Sequence, residues 1–238
     1  MVLLIHIKAT LGAPSYKNNK QRKNLIIKGE HVNVLAMTAT PIPRTLQLAL
    51  SGARELSVIA TPPIDRYTIR TYVSEFDTLT IKDALMREHY RGGQSFFIVP
   101  RVSDIEYISR FLKENVPEVK VGVAHGQMSA TYLDDTMSAF YDHQYDVLLA
   151  TSIVESGLDI PSANTLIVYK ADMFGLAQLY QIRGRVGRSK IRAYAYLITD
   201  NKKPITTQAE KRLNVLSNIE TLGAGFSLAS QALYIIHI

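Results

Sequence analysis

Cysteine is missing from the 238-residue chain, and so is any hydrophobic run long enough to cross a membrane. The lack of cysteine excludes disulfides, thiolate metal sites and cysteine nucleophiles, and it suits a reducing cytosol. No run approaches the roughly 18 apolar residues that a membrane span needs. The N-terminal run MVLLIHI lacks the basic start and the cleavage site of a secretory signal. We therefore expect a soluble, cytoplasmic protein.

Strong charge and metal-ligand patterns are also missing. The formal net charge of +6 permits an anionic partner but does not identify one. No group of His, Asp and Glu has the spacing of a metal site, so we predict no metal held by this chain alone. Length and an apolar content of 47% predict one full domain with appended segments.

Short β-branched or aromatic runs alternate with segments of helical period, 78–93 and 103–116. The strand candidates are 68–73, 95–100, 120–125, 146–151, 165–170 and 193–198. Ser103 and Glu106 have capping-box spacing, which predicts a helix start at Ser103. This alternation predicts an α/β fold of three layers, a parallel sheet covered by helices on both faces, over residues 66–200. We expect the polar motifs at the carboxyl ends of its strands.

The flanking segments are less regular. The run VNVLAM, 32–37, predicts a strand, whereas residues 1–27 show no clean pattern and receive no predicted element. Residues 201–222 predict a loop and an amphipathic helix that ends at Gly223.

The stretch LYQIRGRVGRSK places Arg183, Arg185 and Arg188 within six residues. If a helix continues through it, Arg185 and Arg188 project from one face, and the two glycines keep the surface between them low. Guanidinium stays charged and offers paired donors to phosphate oxygens. Taken alone, these residues are compatible with a phosphate clamp or with a solvated basic turn.

Four other segments accompany this one in a fixed order. They are TAT followed by PIPRT from 38, SFFIVPR at 95–101, AHGQM at 124–128 and ATSIVESGLDIP at 150–161. Together with QLYQIRGRVGR at 178–188, they resemble motifs III to VI of the superfamily 2 helicases and translocases. The resemblance implies a RecA-like helicase lobe that binds DNA and contributes to an ATP site.

Within that superfamily, residues 38–63, 171–189 and 220–230 are similar to the bacterial transcription-repair coupling factors. The branch-migrating helicase RecG shares TATPIPRT and the arginine motif. The resemblance covers about residues 28–230, nearly the whole chain. It implies double-stranded DNA as partner, with RNA polymerase and excision-repair proteins bound through family modules that this chain does not contain.

Two motifs of that family are missing from this sequence, the P-loop G-x-x-x-x-G-K-[ST] and the acidic magnesium motif. The resemblance thus implies the tail of a first lobe at 28–65 with motif III and a linker, a second lobe at 66–200, and the truncated start of a translocation motif at 201–238. ATP with Mg²⁺ would be bound mainly by the absent first lobe, and we predict no activity for the chain alone. A truncated or decayed reading frame would explain the departures from the family at both ends.

The resemblance implies roles for individual residues. The catalytic candidates would contact the triphosphate, with Arg185 and Arg188 as arginine fingers and Gln181 orienting the attacking water. Arg183 would have a structural role. The ATP-binding candidates are Gly157 and Asp159, the DNA-binding candidates Thr151, Ser152, His125, Gly126 and Arg101, and the coupling candidates Thr38, Thr40, Arg44 and Arg212. Ordinary structural roles remain open for several, such as a helix cap for Asp159 and turn chemistry for Thr151 and Ser152.

Two kinds of function compete. The first is a motor in which ATP hydrolysis drives movement along duplex DNA, as in coupling factors that displace stalled RNA polymerase or in RecG-like branch migration. The second is a non-catalytic DNA-binding remnant that keeps the fold.

Overall fold

The computed structural model describes residues 2–7, 34–38, 55–59, 67–151, 160–201 and 204–218, with the backbone alone in the first three ranges. The chain divides into two compact units. One contains Met1–Pro62 and Gly223–Ile238, and the other is Pro63–Leu222.

Three antiparallel strands are described in the first unit. Strand β1 (Val2–Ile7) lies between β2 (Val34–Thr38) and β3 (Glu55–Ile59). The predicted strand at 32–37 corresponds to β2. The structure also forms β1 within residues 1–27, to which the sequence analysis assigned no element, because VLLIHI is an apolar, β-branched run that pairs on both sides.

The second unit is built on six parallel strands in the order β4-β9-β8-β5-β7-β6. Their bounds are β4 Arg70–Glu75, β5 Gln94–Ile98, β6 Val121–Ala124, β7 Val147–Ala150, β8 Ala163–Tyr169 and β9 Tyr194–Thr199. All six predicted strands are confirmed. Every residue of the three central strands β8, β5 and β7 is buried, as expected for a sheet covered on both faces.

Helices cover both faces of this sheet. They are α1 Thr78–Tyr90, α2 Val102–Asn115, α3 Ala130–Tyr141, α4 Leu176–Arg183 and α5 Thr207–Ser217, with a 3₁₀ turn at Ala171–Met173. Phe97 of β5 joins Leu85 of α1 and Ile108 of α2 in one core. Its neighbour Phe96 meets Phe140 of α3 at 5.4 Å between ring centroids. Successive strand residues face opposite sides of the sheet, so α1 and α2 cover one face and α3 covers the other. The predicted three-layer α/β fold is therefore confirmed.

Local capping differs in one place from the prediction. Helix α2 begins at Val102, and its N-cap Arg101 makes no side-chain cap bond. Ser103 therefore lies inside the first turn, and the predicted capping box with Glu106 is wrong. Glu106 instead accepts from Arg110 at 3.1 Å on the exposed surface of the helix. Helix α1 does have a side-chain cap, and hydrogen bonds from the Thr80 hydroxyl and backbone lower the pKa of Asp77.

Helix α5 confirms a helix within 201–222, but it ends at Ser217 with Asn218 as its C-cap, so the predicted stop at Gly223 is wrong. Thr206 caps it, and Ala209, Leu213 and Leu216 are buried where it contacts β4, α4 and the 3₁₀ turn. It thus forms part of the second unit. None of the helices in the described ranges is long and apolar enough to cross a membrane.

Candidate functional site

Helix α4 carries the chain away from the carboxyl end of β8 and stops after eight residues, about 12 Å. It ends at Arg183, with Gly184 as C-cap. Gly187 has φ +74°, a left-handed conformation that ends any helical continuation. Arg185 and Arg188 therefore follow the helix, and the prediction that they project from one helical face is wrong.

The residues after α4, 184–189, form what we call the arginine loop. It lies at the amino ends of three strands. The Ser189 hydroxyl donates to Asn164 at the start of β8, at 3.0 Å. A Cβ on Gly187 would lie 3.1 Å from Ile69, which precedes β4, and 3.2 Å from Ala193, which precedes β9. The expectation that all polar motifs lie at the carboxyl ends is thus wrong for this loop, because α4 returns the chain to the opposite edge.

Arg183 anchors the arginine loop to β4. Its side chain is buried, with 7% of the residue exposed. The Nε group donates to Thr71 Oγ1 at 2.8 Å, and Nη2 donates to the Ile69 carbonyl at 3.1 Å. Burial lowers the pKa of this guanidinium below its ordinary value. These contacts agree with the structural role predicted for Arg183.

The three catalytic candidates lie close together in the chain at this edge. Gln181 is exposed on the last turn of α4, and Arg185 and Arg188 are half-buried in the arginine loop. Arg188 Nε donates to the Gly184 carbonyl at 3.3 Å, which steadies the loop. Two guanidinium groups on one short, anchored loop form a donor set suited to phosphate oxygens. Among the described residues, no group of three His, Asp or Glu side chains could hold a metal ion.

The opposite, carboxyl edge carries the other described candidates. Arg101 follows β5 and is exposed, His125 and Gly126 follow β6, and Thr151 follows β7 and is buried. Strands β5, β7 and β6 are neighbours, and the Thr151 amide donates to the Ala124 carbonyl at 3.3 Å. Since adjacent strands lie about 4.8 Å apart, the three loops form one surface. The structure therefore brings these four residues together.

His125 and Gly126 differ in accessibility. The imidazole Nδ1 of His125 is buried and has no hydrogen-bond partner within the described part of the chain. The His125 carbonyl accepts from the Met128 amide at 3.1 Å, which closes a turn, while Gly126 is exposed. Backbone at Gly126, rather than the imidazole, is therefore the group that this turn presents to a ligand.

A basic residue at the same edge was missed by the sequence analysis. Lys170 follows β8 in a left-handed conformation, φ 49°, and its Nζ lies 2.8 Å from Asp104 Oδ1 of α2. Burial alone would lower the pKa of Lys170, but the hydrogen bond to Asp104 and nearby negative charge raise it. The sequence signal was a lysine directly after the apolar run TLIVY. Near this pair, Arg212 of α5 donates to the Asp172 carbonyl at 3.0 Å.

Several predicted residues lie outside the described residues: Ser152, Gly157, Asp159, Thr40 and Arg44. Thr38 is the last residue of β2, where it pairs with Leu3. The roles assigned to all of these positions stay predictions.

Comparison with known proteins identifies the second unit. Residues 78–190 match the helicase conserved C-terminal domain. This part of the chain is a helicase C-terminal lobe. A solved structure of RecG bound to a three-way DNA junction superposes with a TM-score of 0.71 and 34% identity, over 87% of this chain and 27% of that one.

Two curated relatives of the helicase lobe are transcription-repair-coupling factors. The protein from Rickettsia bellii is 54% identical over 198 residues, 83% of this chain, and the one from Myxococcus xanthus is 54% identical over 216 residues, 91% of this chain. The resemblance to coupling factors is confirmed. The chain spans 18% of the length of each of these relatives.

Proposed function

We propose that this chain contributes the second lobe of an ATP-dependent double-stranded DNA translocase of the transcription-repair coupling type. The observation that carries the proposal is the 54% identity to coupling factors over 83% and 91% of the chain. The lower identity to RecG, 34%, favours the coupling factor over a branch-migrating helicase. The anchored arginine loop gives the proposal a chemical basis.

The arginine loop would act on phosphate. ATP with Mg²⁺, bound mainly by a first lobe, supplies the free energy for movement. Arg185 and Arg188 would donate to its phosphate oxygens and offset the negative charge of the transferring group. Gln181 would orient the attacking water. Gly157 and Asp159 are proposed to complete this site, Gly157 by allowing a tight turn and Asp159 by accepting from a ribose hydroxyl or an arginine.

The carboxyl edge would hold DNA. Exposed Arg101 and the turn at Gly126 can reach phosphates, His125 and Thr151 belong to the same edge, and Ser152 is proposed to act with Thr151. Phosphate contacts position a protein on the duplex without reading its sequence. Thr38, Thr40 and Arg44 are proposed to couple hydrolysis to movement, together with Arg212, whose bond to the Asp172 carbonyl ties α5 to this edge.

The wider role follows from the named relatives. A coupling factor of this kind would displace stalled RNA polymerase in transcription-coupled repair in the cytoplasm. RNA polymerase and excision-repair proteins would be bound through parts of the relatives that this chain does not match.

An ATPase assay tests the proposal. The chain alone, whose sequence lacks a P-loop, is expected to show no DNA-stimulated hydrolysis above background. The same chain joined to an intact first lobe of a coupling factor is expected to hydrolyse ATP and to be stimulated by duplex DNA. A joined protein that binds duplex DNA but stays inactive would favour the second candidate, a non-catalytic DNA-binding remnant.

A further inference from the structure

A cluster of arginines and tyrosines lies at the amino edge of the sheet, outside the arginine loop. We call it the Arg-Tyr patch: Tyr67, Arg87, Arg91, Arg192 and Tyr194. The guanidinium carbons of Arg87 and Arg91 lie 5.1 Å and 5.6 Å from the centre of the Tyr194 ring. The Arg192 guanidinium lies 5.5 Å from the centre of the Tyr67 ring. Five residues from three segments of the chain thus form one continuous surface.

Internal contacts hold the patch in place. Arg91 forms an ion pair with buried Glu88 and donates from Nη1 to the Arg192 carbonyl at 3.0 Å. Thr165 of β8 also donates to the Glu88 carboxylate. Arg87 donates from Nη2 to the Tyr196 hydroxyl at 2.9 Å. These contacts orient the guanidinium groups before any ligand binds. Preorganised side chains lose less conformational entropy on binding, so the entropic cost of binding is lower.

The patch keeps an excess of positive charge. Glu88 is the carboxylate that pairs with Arg91, and it is only 1% exposed. Among the described residues, no other carboxylate forms an ion pair with an arginine of the patch. Arg192 is exposed, and no hydrogen bond of its guanidinium is found in the described part of the chain, where it rests on the ring of half-exposed Tyr67. Exposed Lys190 lies two residues before it. An oriented cationic surface is complementary to a row of phosphates.

We propose that the Arg-Tyr patch, with Lys190, binds the phosphate backbone of duplex DNA. It is a second nucleic-acid surface at the amino edge, separate from the carboxyl-edge residues assigned to DNA above. Planar guanidinium groups suit phosphate oxygens, and the tyrosine rings hold these groups in place. DNA binding by the patch depends neither on the arginine loop nor on ATP. If the patch does not bind DNA, the proposed translocase function is therefore unaffected.

The test measures fluorescence anisotropy of the full chain with a labelled duplex of about 30 base pairs across a salt series. The patch variant is Lys190→Gln with Arg192→Gln. Its matched control is Arg110→Gln with Lys113→Gln, which removes the same charges from exposed positions on α2. The variant Arg101→Gln reports separately on the carboxyl edge. Thermal unfolding of each variant checks that the lobe remains folded.

Each lost phosphate contact reduces the slope of log affinity against log salt by about 0.9, so affinity falls roughly tenfold per cation near 0.1 M salt. We expect the patch variant to lose close to two units of slope and the control almost none. The charge-keeping variant Arg192→Lys should retain most of the affinity. If the patch variant and its control bind the duplex with equal affinity and equal slope, the patch does not bind DNA.

Discussion

At the scale of single residues, three arginines within six residues have different surroundings. Arg183 is buried and bonded to Thr71 and to the Ile69 carbonyl, whereas Arg185 and Arg188 lie on the loop that this anchor holds. A buried guanidinium whose donors are satisfied contributes to folding, and removing it leaves its acceptors without a partner. The same side chain therefore has a structural role at one position and a proposed phosphate-binding role at the next.

Replacing Arg183 with Met should destabilise the second unit by about 2–4 kcal/mol, because the Ile69 carbonyl and Thr71 hydroxyl lose their buried donor. The control is Arg110→Met, which removes an arginine from an exposed ion pair and should cost less than about 1 kcal/mol. Urea unfolding followed by circular dichroism measures both. Equal midpoints for the two variants would show that Arg183 is not an anchor.

At the scale of elements, the end of α4 decides where the proposed chemistry lies. The helix ends at Arg183, and in the loop that follows Gly187 adopts φ +74° and packs against Ile69 and Ala193, so the loop turns along the amino ends of β4 and β9. A helix continued by one more turn would carry Arg188 away from these contacts.

Alanine substitutions at two glycines distinguish the stability cost of backbone strain from the cost of steric crowding. Gly187→Ala and Gly92→Ala both place a Cβ on a left-handed backbone, φ +74° and +72°, and each should cost about 1 kcal/mol for that reason. Nothing lies within 4 Å of a Cβ at Gly92, whereas Ile69 and Ala193 crowd one at Gly187. Gly187→Ala should therefore cost about 1–3 kcal/mol more. Chemical denaturation compares the two, and a smaller loss for Gly187→Ala would contradict the packing described for the arginine loop.

The strands of the sheet were predictable and the course of the motif after α4 was not. Runs such as FFIV and LIVY are apolar throughout because their strands are buried on both faces, and that pattern is visible in the sequence. The course of the loop after α4 depends on Gly187, whose left-handed backbone and close neighbours exist only in the folded chain. Helix α3 was missed because it buries only Thr136 and Phe140, too few positions for a clear helical period. The carboxyl-edge cluster was predictable because its residues end predicted strands or directly follow them.

At the scale of the whole molecule, the lobe has two polar edges with different proposed tasks. The amino edge carries the arginine loop, and the carboxyl edge carries Arg101, Gly126 and Thr151 on adjacent strands. A layer of buried apolar strands separates them. Coupling between the edges then has to pass through the sheet or around it, and α5 contacts both β4 and the 3₁₀ turn.

Duplex binding by the chain should be weak, independent of base sequence and strongly reduced by salt, because the proposed contacts are to phosphates. Anisotropy titrations with two duplexes of equal length and unrelated sequence, each at several salt concentrations, measure this. Preference for one duplex together with a flat salt response would contradict phosphate-only binding.

The arginine loop is the central claim, and ATP hydrolysis by the chain joined to an intact first lobe tests it most directly. Arg188→Ala in that protein should lower kcat by about 10³-fold or more, the effect of losing an arginine finger, and should leave duplex binding largely intact. Arg110→Ala, which removes an exposed arginine on α2, should hydrolyse ATP at the unmodified rate. Equal turnover by the Arg188→Ala and Arg110→Ala proteins would contradict the account.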